Sequence, residues 1–181
     1  MAAVVAMAGL ASPSLAQIAT HSKAPVDITA DNLETSNSGC EAIWKGNAEA
    51  LQENARLRAD VLRIFTKPNP KTSAAKPGAT PGGCGEMERI EAEGSVYYIT
   101  SDGQKVRSNN AVYLAGSTTV TMTGDVVAVK DKNVLRGDKM VFNTDTGAGQ
   151  VIGGSKGRGA KDRPRGVFYP SQSDSTSDKP K

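Results

Sequence analysis

Gly124-Asp-Val-Val-Ala-Val129, the polar connection Lys130-Asp-Lys-Asn133 and then Leu135-Arg-Gly-Asp138 form the stretch on which the fold turns. The second and fourth residues after the glycine, Val126 and Ala128, share one face of an extended chain, and the polar link is short enough for a hairpin. The same unit stands upstream as Gly94-Ser-Val-Tyr-Tyr-Ile99 with Val106-Arg-Ser-Asn109, and as Gly46-Asn-Ala-Glu-Ala-Leu51 with Leu57-Arg-Ala-Asp60. A glycine-led strand, a polar turn and a strand opening aliphatic-Arg-small-Asp/Asn therefore recur about every 30 residues. Ile28-Thr-Ala-Asp31 is a degenerate first copy, as terminal repeats usually are.

The phase of the apolar residues carries the next step. Ala48 and Ala50, Val96 and Tyr98, and Val126 and Ala128 line one face of the first strands. Leu57, Val106 and Leu135 begin the second strands in the same phase. After Asp60, Asn109 and Asp138 the apolar positions shift to Leu62 and Ile64, Ala111 and Tyr113, and Met140 and Phe142. The degenerate copy shifts likewise, from Ile28 and Ala30 to Leu33. A flip at one place in every copy predicts a bulge or bend that keeps the apolar side inward. The expected architecture is all-β, a bent antiparallel β-jellyroll of repeated strand pairs with open edges. A parallel β-helix is the competing solenoid, against which Asp102-Gly103 in a short connection favours hairpins. Helix propensity alone would make Ala48 to Leu62 helical, and the repeat overrides it. The inner residues are small near the glycines, which would leave room for a ligand, although pattern alone favours a core filled by its own side chains.

The domain so defined spans 26–153. Residues 1–16 read as a signal peptide, apolar and ending Ser14-Leu15-Ala16, without the basic segment that ordinarily leads one. Either its start is trimmed or it is an uncleaved apolar arm. Residues 17–25 are a flexible linker, and 67–85 form a surface loop insertion rich in Pro, Gly, Ala and Lys. The basic tail, 154–181, is expected to be mostly disordered, with a short strand near 165–169. Export implies the periplasm, where Cys40 and Cys84, each in a Gly-rich turn before a strand, suit a disulfide. Two unpaired small residues are the alternative.

Catalysis has little to stand on. His21 is the one histidine in 181 residues, so there is no Ser/Cys-His base and no imidazole for a metal site. No catalytic residue, metal or cofactor is expected. Asp60 and Asp138 could serve a glycosidase, but their recurrence at equivalent repeat positions points to a structural task at the bend. The net charge of +3 is mild and concentrated at Lys156, Arg158, Lys161, Arg163 and Arg165, which does not imply nucleic acid.

Taken in order, Ile28-Thr-Ala-Asp-Asn-Leu33, Trp44-Lys-Gly-Asn-Ala48, Leu57-Arg-Ala-Asp60 and Thr123-Gly-Asp-Val126 with Leu135-Arg-Gly-Asp138 resemble the OstA-like (LptA) family of periplasmic lipopolysaccharide-transport proteins over about Val26 to Ile152. The resemblance implies a Gram-negative bridge protein of outer membrane biogenesis that shields the acyl chains of lipopolysaccharide between the inner and outer membranes. It makes Ile28, Ala30, Leu33, Ala48, Ala50, Leu57, Leu62, Ile64, Val96, Tyr98, Val106, Tyr113, Val126, Ala128, Leu135, Met140 and Phe142 a lipid-binding interior. It further implies LptC-like and LptD-like partners joined by edge-strand addition, and head-to-tail self-association. The edges would lie near Val26 to Leu33 and in Lys139 to Ile152 or Val167 to Tyr169. The alternative is a structural or adhesion-type β-repeat protein that associates through its edges without lipid.

Overall fold

The computed structural model describes residues 24–36, 39–68, 84–154 and 162–170. The expected signal peptide, most of the linker, the middle of the insertion and most of the tail lie outside these. Among the described residues ten strands form one antiparallel sheet: β1 (Asp27–Thr29), β2 (Asn32–Ser36), β3 (Glu41–Gln52), β4 (Ala55–Pro68), β5 (Cys84–Ile99), β6 (Lys105–Leu114), β7 (Thr119–Lys130), β8 (Asn133–Asn143), β9 (Gly149–Ile152) and β10 (Arg165–Val167). β3 to β8 meander in sequence order, with the polar turns that the repeat predicted between β3 and β4, β5 and β6, and β7 and β8. A 3-10 turn, Ala115–Ser117, links β6 to β7. Ala48 to Leu62 is strand, turn and strand, because its alternating residues pair across a hairpin, Ala48 with Ala59 and Ala50 with Leu57.

The bend is real and has a chemical cause. Register shifts interrupt β3/β4 between Lys45 and Ala48, β5/β6 between Glu93 and Val96, and β7/β8 between Thr123 and Val126. At each, two consecutive residues take positive φ: Gly46 and Asn47, Gly94 and Ser95, Gly124 and Asp125. The repeated Asp or Asn of the preceding strand lies against each glycine, so that a Cβ on Gly124 would stand 2.6 Å from Asn109 Nδ2. Asp31 and Asp60 fill the same position against Gly46 and Gly94. Asn47 Nδ2 donates to Asp31 Oδ2 at 2.9 Å, and Ser95 Oγ donates to Asp60 Oδ2 at 3.3 Å. Glycine is needed twice over, for the left-handed backbone and for the close side chain. The acids thus have the structural task their repetition suggested.

Two leaves meet at this vertex. The first carries β1, the halves of β3 to β8 nearest the turns 52–55, 100–104 and 130–133, and β10. The second carries β2, the other halves and β9. Each edge is one strand divided at the vertex: β1 and β2 both pair with β3, and β9 and β10 both pair with β8. At the far edge residues 153–164 separate the two halves, and Asp138 lies against Gly154 as a fourth copy of the acid-glycine contact. The insertion's ends are strand rather than loop, since Pro68 pairs with Cys84 and both β4 and β5 run into it. Cys40 and Cys84 are disulfide-bonded with Cα atoms 5.5 Å apart, tying the start of β3 to the start of β5 past the end of β4.

Candidate functional site

The space between the leaves is lined by rows of side chains set by the register. On the second leaf a row crosses the whole sheet as Leu33, Trp44, Leu62, Ala92, Ala111, Met122, Met140 and Val151. On the first leaf the row is Ile28, Ala50, Leu57, Tyr98, Val106, Ala128, Leu135 and Gly166. Nearest the vertex are Ala48, Ala59, Val96 and Val126, all at most 5% exposed. The small side chains there let the leaves converge, so the room expected beside the glycines is taken up by contact between the leaves. Space remains further out. A cavity of about 40 Å³ is lined by Leu57, Ile90, Ala92, Tyr98, Ala111, Tyr113, Val120, Met122 and Thr144. A second, about 210 Å³, lies at the lip among Thr35, Ser36, Ala42, Ile64, Thr66 and the disulfide.

All of the expected interior residues except Leu33 belong to this apolar cluster, with Ile28, Ala30, Ile64, Tyr113, Leu135 and Phe142 only partly buried. Leu33 is in phase with the inner row but is 47% exposed, because β2 is an edge strand with no neighbour beyond it. Phe168 mirrors it at the other edge, 68% exposed, its ring lying over the space that Gly166 leaves open. Ile90, Ala92, Val120 and Met122 are inner residues that sequence reasoning missed. Their signal was the alternation just before Gly94 and Gly124, which goes unseen when each strand is started at its glycine.

Across the mouth Tyr98 of the first leaf stacks on Phe142 of the second, ring centroids 6.4 Å apart and planes at 17°. Burial, then the nearby Asp102 and Tyr113, pushes the Tyr98 hydroxyl up to about 12, so the phenol stays neutral. Burial raises Tyr113 as well. Trp44 Nε1 is a buried donor without an acceptor among the described residues, a polar point in an otherwise apolar wall. No group of His, Cys, Asp and Glu among the described residues could hold a metal. No helix among them is long and apolar enough to cross a membrane. The arrangement can sequester apolar chains.

Comparison with known proteins agrees with this architecture. Residues 27–148 match the family model described as LptA/(LptD N-terminal domain) LPS transport protein. An uncharacterized protein of Rhizobium meliloti (strain 1021) is 30% identical over 165 residues, 83% of this chain and 84% of that protein. Among solved structures, LptH of Pseudomonas aeruginosa superposes with a TM-score of 0.65 at 16% identity, covering 83% of this chain and 99% of its own. LptH is described as the LptA homologous periplasmic component of a lipopolysaccharide transport device.

Proposed function

The chain belongs to the LptA/(LptD N-terminal domain) family of LPS transport proteins, and from that premise we propose that it is a periplasmic bridge whose interior shields lipopolysaccharide acyl chains between the inner and outer membranes. The observation that carries this reading is the inner apolar surface, which runs from edge to edge and ends at an exposed Leu33 on one side and an exposed Phe168 on the other. A self-sufficient core would close its ends. An apolar path open at both edges suits a ligand handed along from one protein to the next.

The present cavity of about 40 Å³ is far below the roughly 300–1,000 Å³ of ordinary ligand sites. Loading therefore requires the leaves to part at the mouth, with acyl chains replacing the Tyr98–Phe142 contact. That exchange substitutes one apolar contact for another and costs little hydrophobic burial. The role is binding and transfer, without catalysis or cofactor. The β1/β2 and β9/β10 edges would add to LptC-like and LptD-like partners, or to further copies, by main-chain hydrogen bonds.

Photo-crosslinking in the exporting cell tests the interior. Probes replacing Tyr113, Met122 or Phe142 should yield lipopolysaccharide adducts, and a probe at Thr121 on the outer face should not. Silence at every inward position in folded protein would leave the β-repeat that associates through edges alone as the better account.

A further inference from the structure

The arginine of each repeat points away from the interior, and the register gathers these arginines into a row. On the outer face of the first leaf the row runs Glu49, Arg58, Tyr97, Arg107, Val127, Arg136 and Arg165. Beside it lies a second: Leu51, Arg56, Ile99, Lys105, Val129, Val134 and Val167. At the β3 end the charges are answered, because Glu49 binds Arg56 at 3.1 Å and Arg58 at 3.0 Å. Beyond β4 neither row contains another acid. Arg107, Arg136, Arg163 and Arg165 have no ion-pair partner among the described residues, and Arg136 stands directly opposite Arg165 on the neighbouring strand. Like charges so placed repel unless an external anion lies over them.

The other leaf is built differently. Its outer face carries Arg63–Glu93, Arg89–Glu91 and Lys45–Glu34 pairs, so its arginines are neutralised within the protein, and Lys139 is left as a base without an ion-pair partner among the described residues. The unpaired arginines are therefore a property of one face. Apolar residues alternate with them, and the row ends at Val167 and Tyr169, 40% and 59% exposed. Towards the vertex the face deepens into an open groove of about 610 Å³ containing Arg107, Arg136 and Arg163. Asp125, Asp138 and Asp162 also line it. Asp138 lies against Gly154, and these acids keep to the vertex while the bases extend outward over β6, β8 and β10.

We propose that this outer face of the first leaf, from Tyr97 to Tyr169, is a docking surface for the anionic lipid–water interface of a membrane. Charge complementarity selects anions, and aliphatic and aromatic residues between the arginines select a surface whose anions sit on an apolar layer. A single free phosphate would use one pair of arginines and leave Lys105, Val167 and Tyr169 without a role. The proposal is independent of what the interior holds.

Flotation of the full chain with phosphatidylcholine vesicles, with or without phosphatidylglycerol, tests it. Binding should require phosphatidylglycerol and fade at about 0.5 M salt, where screening extends only a few ångströms. Arg107→Gln with Arg136→Gln should weaken partitioning roughly twenty-fivefold, about fivefold per charge. Val167→Ser with Tyr169→Ser should weaken it further. Uptake of an uncharged fluorescent acyl probe into the interior should be unchanged in every variant. Equal binding to both vesicle types, or full binding by the folded arginine variant, would overturn the proposal. So would release by inorganic phosphate but not by chloride of equal ionic strength, which marks a free-anion site. Displacement by polyglutamate with no effect of the Val167 and Tyr169 changes would mark an acidic protein partner instead.

Discussion

The vertex and the mouth of the folded sheet are made of the same repeat, yet they are held in opposite ways. At the vertex three copies contribute a positive-φ pair with an acid or amide packed on its glycine, and the side chains between the leaves are small and fully buried. At the mouth an aromatic stack joins the leaves, and the lip is tied on the β3 side by a disulfide. A hinge that is over-determined and a mouth that is lightly closed are what the proposed container needs in order to open without unfolding.

Substitution at the vertex should have the largest effect. Gly124→Ala places a Cβ 2.6 Å from Asn109 Nδ2 on a backbone at φ +81°, and should cost about 3 kcal/mol from backbone strain and overpacking together. Gly103 has nearly the same φ, +83°, in the open turn before β6, with nothing near its Cβ position. Gly103→Ala should therefore cost only the strain, roughly 1 kcal/mol. Urea unfolding of the two variants separates these contributions, and equal losses would mean that the acid-glycine contact adds nothing.

The disulfide comes next. Cys40→Ala with Cys84→Ala should lower stability by about 2 to 3 kcal/mol. Amide exchange should quicken around Glu41–Ala42, Ile64–Lys67 and Gly85–Met87 and stay slow at Asn109 and Gly124. Faster exchange at the vertex as well would show that the two regions are not mechanically separate.

The smallest effect is a titration. Tyr98 ionises near 10 in the unfolded chain and at about 12 when buried, so its contribution is complete below pH 10 and is lost as pH rises towards 12. Unfolding free energy should fall over that interval by no more than about 2 kcal/mol, and Tyr98→Phe should flatten the slope. A slope that persists in the variant would move the alkaline sensitivity away from the mouth.

Much of this was legible in the sequence. The recurring glycine and acid, the phase flip at Asp60, Asn109 and Asp138, and the short polar turns define the bent meander without any coordinates. A local repeat outweighed helix propensity over Ala48 to Leu62 because alternation there matches a partner strand. Other features depend on pairing partners that no local pattern names. Leu33 is exposed because of where the sheet ends. The strand at Arg165–Val167 pairs with β8 on the other side of the vertex from β9, although the two are separated by only twelve residues in sequence. The arginines look like scattered surface charge until the register sets Arg107, Arg136 and Arg165 in one row.

The contact between acid and glycine also has an arithmetic. Asp31 serves Gly46, Asp60 serves Gly94, Asn109 serves Gly124 and Asp138 serves Gly154, each partner drawn from within the chain. Among the described residues this lock has no spare key and no empty keyhole at either end. Growth by addition of another protein therefore cannot be driven by extending the spine. The partners proposed for the edges would use the main-chain groups of the outermost strands instead, and a junction of that kind would be made and undone while each container keeps its shape.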